Sequence, residues 1–245
     1  MRLFMVAVAS SALQVGCGNP SIESNEVIQL TSCDPLTDSL CRPIADGHSL
    51  VTVGACTAAS GSRVSPLNVT VQLSGSAWAN PPDPTNVRTF AASLVKDTCT
   101  HPVFIADTSP GPVRIDAELL GFHATTFVTL GPASLVALTI VPTPAVLTAR
   151  QVNTISVASN VRGANGGDPS RGTRIAYSIT QVVPSTAVAY VIPSDTDLQS
   201  TTPVQLHTDS TVTSVTIAAM ATPPTVPGTG AATGVSGTLT LRALQ

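Results

Sequence analysis

Val113-Arg114-Ile115-Asp116-Ala117-Glu118-Leu119 alternates without a fault: Val, Ile, Ala and Leu fall on one side, Arg, Asp and Glu on the other. A two-residue period places successive side chains on opposite faces of a strand, so this stretch predicts a strand with one dry and one wet face. Gly121-Phe122-His123 then turns the chain into Thr125–Leu130, a second strand-like run, and the pair reads as a hairpin. On the wet face, Asp116 and Glu118 sit beside Arg114 and read as a solvated surface rather than an acid/base pair.

Working outward, the same texture covers most of the chain. Short runs rich in Val, Thr and Ile are cut by Pro, Gly and Asn, while strong helix formers are scarce. Ahead of the hairpin, strands are predicted at 26–30, 49–56, 67–73, 88–95 and 102–106; beyond it, at 135–141, 152–158, 174–180, 188–192, 204–207, 214–221 and 236–244. The last two enclose a long Pro-Gly-Thr loop, 222–234, of a length that is either mobile or functional. Gly131-Pro132-Ala133-Ser134 breaks the series into two units, 26–131 and 135–245, each about the size of a β-sandwich domain.

The units share an order of features. Thr52-Val53-Gly54-Ala55-Cys56, then Gly61, Pro66 and the alternating run 69–74 in the first match a series in the second. There Thr154-Ile155-Ser156-Val157-Ala158 is followed by Gly166-Gly167-Asp168-Pro169 and Ile175-Ala176-Tyr177-Ser178-Ile179. Ala45-Asp46-Gly47-His48-Ser49-Leu50-Val51-Thr52 resembles the opening of bacterial Ig-like domains of the invasin/intimin type. Asn165-Gly166-Gly167-Asp168-Pro169 resembles the turn between their second and third strands. The resemblance implies an all-β fold of two tandem Ig-like β-sandwiches and a spacer or adhesion module rather than an enzyme. The second unit lacks an Asp-Gly opener, which leaves its Ig-like subfamily open.

The N-terminus carries an address. Met1-Arg2 is basic, residues 3–12 are apolar or small and too few to span a bilayer, and Leu13-Gln14-Val15-Gly16-Cys17 follows. This is the pattern of a secretory signal peptide over 1–16. The Gly16-Cys17 step resembles the lipobox of bacterial lipoproteins, in which the leader is cut before a cysteine that carries a diacylglycerol. The family prefers Leu three residues before that cysteine; here Gln14 stands there. The resemblance implies lipid attachment at Cys17, a tether over 17–25 and anchoring in the cell envelope, expected at the outer membrane of a Gram-negative bacterium. Cleavage after Ala12 is the alternative and would leave an odd thiol near the mature start.

With Cys17 lipidated, four cysteines remain in an oxidising compartment, an even number that suits two disulfides. Cys33 with Cys41 and Cys56 with Cys99 is the preferred pairing, although four cysteines allow three connectivities. A zinc site competes poorly: no Cys-x-x-Cys is present and Cys99-Thr100-His101 is the one close Cys/His pair.

Other chemistry-bearing residues are scattered. His48, His101, His123 and His207 are far apart and read as loop residues. Ser93-Leu94-Val95-Lys96 matches Ser-x-x-Lys but stands without its companion motifs. Asp195-Thr196-Asp197, with Asp107 and Asp168 as isolated extras, is a thin basis for calcium, which takes six to eight oxygens, and reads as a solvated loop. Trp78 reads as either an exposed binding residue at a loop tip or a cover for the open end of a small core. Asn68-Val69-Thr70 matches a glycosylation acceptor and reads most simply as strand.

A net charge of −3 argues against nucleic acid, which calls for a basic face. The expectation is thus a non-catalytic, cofactor-free envelope lipoprotein. It would meet the membrane through its lipid and bind a surface protein or glycan, or else serve as a spacer subunit of an envelope or secretion complex; an enzyme with an unfamiliar site comes last.

Overall fold

The structure is a computed structural model that describes residues 28–32, 43–57, 67–73, 77–80, 89–94, 99–100, 103–119 and 122–244. The expected signal peptide, the tether, Cys17, Cys33, Cys41 and His101 lie outside the described residues. The first series of strands is β1 (Ile28–Ser32), β2 (Ile44–Ala45), β3 (Leu50–Thr57), β4 (Leu67–Leu73), β5 (Ala77–Asn80), β6 (Thr89–Leu94), β7 (Cys99–Thr100), β8 (Val103–Ile105), β9 (Gly111–Leu119) and β10 (Phe122–Pro132). The second is β11 (Leu135–Thr143), β12 (Leu147–Thr148), β13 (Asn153–Gly163), β14 (Arg174–Val183), β15 (Ala189–Ile192), β16 (Asp195–Asp197), β17 (Val204–Thr208), β18 (Ser214–Thr222) and β19 (Val235–Leu244).

These strands form four sheets, and no sheet mixes the two series. The first series gives β1-β3-β8-β5, with β7 also on β3, and β2-β10-β9-β4-β6. The second gives β11-β13-β17-β15 and β12-β19-β18-β14-β16. The two orders are the same, strand for strand, once β7 is set aside. Each includes a short second strand that runs parallel to the last one, β2 on β10 and β12 on β19, among otherwise antiparallel pairs. The repeat read from turns and alternation is therefore a repeat of topology: two tandem β-sandwiches.

The alternating stretch lies where its pattern put it. β9 pairs with β10 as a hairpin, Leu119 opposite Phe122 through to Gly111 opposite Leu130. Val113 and Ile115 are buried while Arg114 is exposed. The counterpart in the second sandwich is Val215 and Ile217 on β18, both fully buried, and Val53 on β3 has its counterpart in Ile155 on β13. The second core gathers Leu147, Ile155, Val157, Ile175, Tyr177, Leu206, Val215, Ile217 and Leu241 from both of its sheets. Burying a side chain such as Ile217 is worth roughly 1.5–3 kcal/mol. Tyr177 keeps its hydroxyl satisfied by donating to Ser159 Oγ at 2.8 Å.

Three expectations are corrected here. Trp78 does not sit at a loop tip: it lies in β5, opposite Phe104 of β8, beside a bulge. Asp195-Thr196-Asp197 is not loop but β16, paired with Arg174–Ala176 of β14. His123 is a strand residue, on β10, rather than a turn residue, and His207 is on β17, within the strand expected at 204–207 rather than in a loop. β5 and β16 are short strands at sheet edges set by partners distant in sequence, whereas His123 pairs with Glu118 across the hairpin and His207 lies on an interior strand. His48 is exposed in the bend after Asp46-Gly47.

Candidate functional site

Only Ala133 and Ser134 separate β10 from β11. Ala133 is 2% exposed, so the connection is packed rather than slung between the sandwiches. Two turns meet over it, and they are the same two that carry the family resemblance.

The turn from the first sandwich is built by Asp46. Its Oδ1 accepts the backbone N–H groups of His48 and Ser49 at 2.9 and 2.6 Å, and its Oδ2 accepts the Ser49 hydroxyl at 2.8 Å. Asp is suited to this because its short carboxylate reaches the backbone two and three residues on. Gly47 follows at φ +73°, a left-handed conformation that glycine adopts without a Cβ penalty. The carboxylate is only 7% exposed, and its three hydrogen bonds offset the cost of taking it out of water.

The turn from the second sandwich, between β13 and β14, presses onto it. Asp168 N–H donates to the Asp46 carbonyl at 2.7 Å, and Arg171 N–H donates to the Thr108 carbonyl at 2.7 Å. Ser170 is fully buried; its hydroxyl donates to the Ala45 carbonyl at 2.6 Å and accepts the Ala133 N–H at 2.8 Å. One side chain thus holds the first sandwich, the linker and the second sandwich together. A Cβ on Gly167 would stand 2.8 Å from Asp46 Cβ, so the turns approach this closely only because residue 167 has no side chain.

The long loop 223–234 also belongs here. Leu135 N–H donates to the Thr233 carbonyl at 2.8 Å, and Thr233 N–H donates to Ser134 Oγ at 3.2 Å. Thr229 of the same loop packs 3.5 Å from where a Gly131 side chain would begin. Thr229 and Thr233 thus attach that loop to the junction.

A second region presents side chains outward. On the outer face of β11-β13-β17-β15, register brings Tyr190 of β15 opposite His207 of β17, which in turn is opposite Thr154 of β13. The Tyr190 and His207 rings stack with centroids 5.1 Å apart, and His207 Nδ1 lies 3.2 Å from Thr154 Oγ1. Ile192 on the edge strand and Val188 just before it flank Tyr190, and Val152 immediately precedes β13; Tyr190 is 49% and Val152 74% exposed. Asp209, beyond β17, holds the adjoining turn. It accepts Thr211 Oγ1 at 2.6 Å, Val188 N–H at 2.6 Å and Thr211 N–H at 2.8 Å, and these bonds hold its carboxyl below the usual carboxylate value. This is an aromatic and aliphatic surface with few charges, suited to contact rather than chemistry.

The remaining predicted residues are dispersed. Asp195 pairs with Arg174 across β16 and β14, at the opposite sheet's edge. Asp107 and Asp168 lie in the junction loops, where Asp168 contributes its backbone and Asp107 accepts Thr108 N–H. Among the described residues no three His, Cys, Asp or Glu groups come together in a way that could hold a metal ion. Arg114 and Asp116 form an exposed ion pair at 2.9 Å, and Thr125 donates to the same carboxylate at 2.7 Å. Ser93 is on β6 and Asn68 on β4. Cys56 of β3 lies opposite Cys99 of β7. The sequence reading missed Ser170 and Tyr190. Ser170 follows the Gly-Gly-Asp-Pro turn directly, which was the available signal; Tyr190 is one of two tyrosines and sits in an exposed strand of alternating large residues.

No family model matches the sequence, and no curated protein matches it. The fold has clear relatives among solved structures. It is that of tandem Ig-like sandwiches of the invasin/intimin type. Invasin, described as a bacterial integrin-binding protein, superposes with a TM-score of 0.56 over 89% of this chain, at 14% identity; the match spans 39% of the invasin chain. The Yersinia pseudotuberculosis adhesin InvE covers 89% of this chain and 60% of its own at 12% identity, with a TM-score of 0.49. The Escherichia coli adhesin FdeC covers 94% and 67% at 18% identity, with a TM-score of 0.36.

Proposed function

We propose that this chain is a non-catalytic envelope module that carries two Ig-like sandwiches on a lipid anchor and binds a surface protein or glycan through its exposed strands. The observation that supports the reading is the tandem pair of sandwiches of one topology, a fold whose likeness to invasin extends over 89% of this chain. The module is anchored at Cys17 after removal of residues 1–16, at the outer membrane of a Gram-negative cell. Disulfides Cys33–Cys41 and Cys56–Cys99 tie its membrane-proximal part. The second pairing is supported by register, since residues directly opposite in an antiparallel pair have Cα atoms about 4.5–5.5 Å apart, within disulfide reach. The binding surface is the Tyr190 face.

Intact mass of the mature chain extracted from membranes tests the anchor and the bridges. The expected result is a chain starting at a lipidated Cys17 that gains about 4 Da on reduction, two hydrogens for each of two bonds. A chain beginning near Leu13 with a free thiol contradicts the anchor. For binding, a photo-crosslinking residue at Tyr190 in intact cells is expected to capture a discrete partner that the same probe at Arg114 does not. Equal capture at both positions contradicts the assignment of the face.

A spacer subunit is the second reading, favoured by the locked junction. It predicts that the chain purifies in a complex of fixed stoichiometry with the Tyr190 face covered.

A further inference from the structure

The contacts at the junction do more than connect. A flexible two-domain chain leaves its linker polar and solvated; here Pro132 and Ala133 of the linker and the residues at the centre of both facing turns are buried, and hydrogen bonds cross between the turns. Ala45, Asp46 and Ala106 of the first sandwich, Ala133 of the linker, and Ser170 and Thr173 of the second are all at most 7% exposed. Thr173 Oγ1 donates to the Ser170 carbonyl at 2.6 Å and so fixes the turn that carries the Ser170 hydroxyl. Swinging the sandwiches apart would break the Asp168-to-Asp46, Arg171-to-Thr108 and Ser170-to-Ala45 hydrogen bonds together.

We propose that Ser170 is the pin of an interdomain lock, with Asp46 and Gly167 as its bearing surface, and that the lock makes the two sandwiches a single mechanical and thermodynamic unit. The unit holds the outer face of the second sandwich in one orientation relative to the first. The inference stands on the junction and does not depend on what the Tyr190 face binds.

Two substitutions attack the lock from different sides. Ser170→Ala removes the shared hydroxyl. Gly167→Ala wedges the contact: Gly167 has φ −74° and ψ 164°, which any residue adopts, so the added methyl strains nothing in its own backbone. Its Cβ meets the Asp46 side chain at 2.8–3.0 Å across the interface. Differential scanning calorimetry of the full chain is the readout, with circular dichroism confirming that both variants keep their β structure. The wild type is expected to unfold in one transition. Each variant is expected to split it into two, separated by about 4 °C or more. Because Gly167→Ala leaves every hydrogen-bonding group in place, splitting there isolates the close approach from the loss of the hydroxyl. A wild type that already unfolds in two steps overturns the proposal, and so do variants that both retain a single transition. Partner capture at Tyr190 is scored separately, so failure of the lock and failure of the binding reading give different results.

Discussion

The Ser170 hydroxyl is both donor and acceptor in a site closed to water, so its loss leaves the Ala45 carbonyl and the Ala133 N–H buried without it. Ser170→Ala is expected to cost about 1–3 kcal/mol, measured by urea unfolding of the full chain. Tyr177 gives a pH signature. Burial raises its pKa above the ordinary tyrosine value, and the bond to Ser159 offsets part of that. The folded-state pKa is thus above the unfolded one. The associated stability is complete below the unfolded value of about 10 and is lost as pH rises through the folded value. The second sandwich should therefore weaken in strong alkali, and Tyr177→Phe should flatten that decline while costing about 1 kcal/mol near neutrality for the lost bond to Ser159. Asp209 acts at the other extreme. Its lowered pKa stabilises the turn above the ordinary carboxylate range, and that contribution is lost as pH falls through its folded value. At this scale the sequence was legible where a residue has one local job. Asp46 before Gly47 announces a turn whatever surrounds it. Ser170 was not legible because its partners, Ala45 and Ala133, lie 125 and 37 residues away.

Strands with a long alternating run were readable because one buried face dictates the pattern. β9, β13, β14 and β18 lie where Val113, Ile155, Ile175 and Ile217 put them, each buried and each flanked by neighbours less buried than itself. Ile217→Ala, in the middle of β18 between β14 and β19, should cost about 2–5 kcal/mol through lost burial and the cavity left behind. The exposed Val152→Ala change should fall within about 0.5 kcal/mol of the parent; denaturant midpoints of the two variants compare them directly. Among the short elements, β8 and β15 were legible at 102–106 and 188–192, but others were not. β2, β7 and β12 are two residues each, too short for any period, and exist because a neighbouring strand offers hydrogen bonds. β5 and β16 are edge strands, and Trp78 and Asp195 are drawn into them by β8 and β14. Loop character in their local sequence was real, but pairing overrode it.

Taken whole, the molecule repeats one topology and then joins the copies so that Asp46, Ser170 and Thr173 of the facing loops become interior. The repeat was legible because Gly- and Pro-bearing turns recur in the same order in both halves. The joint was not, because Gly131-Pro132-Ala133-Ser134 has the composition of a flexible break, and only the arrival of residues 167–171 and 229–233 turns it into buried structure. A fixed axis is what a module needs if it is to hold a contact surface at a set distance and angle from its point of attachment. Backbone 15N relaxation of the wild-type chain tests this most directly. Residues 103–119 in the first sandwich and 174–222 in the second are expected to report one overall rotational correlation time and one diffusion tensor. Two distinct correlation times, each near that of a single sandwich tumbling on a free linker, would contradict the account.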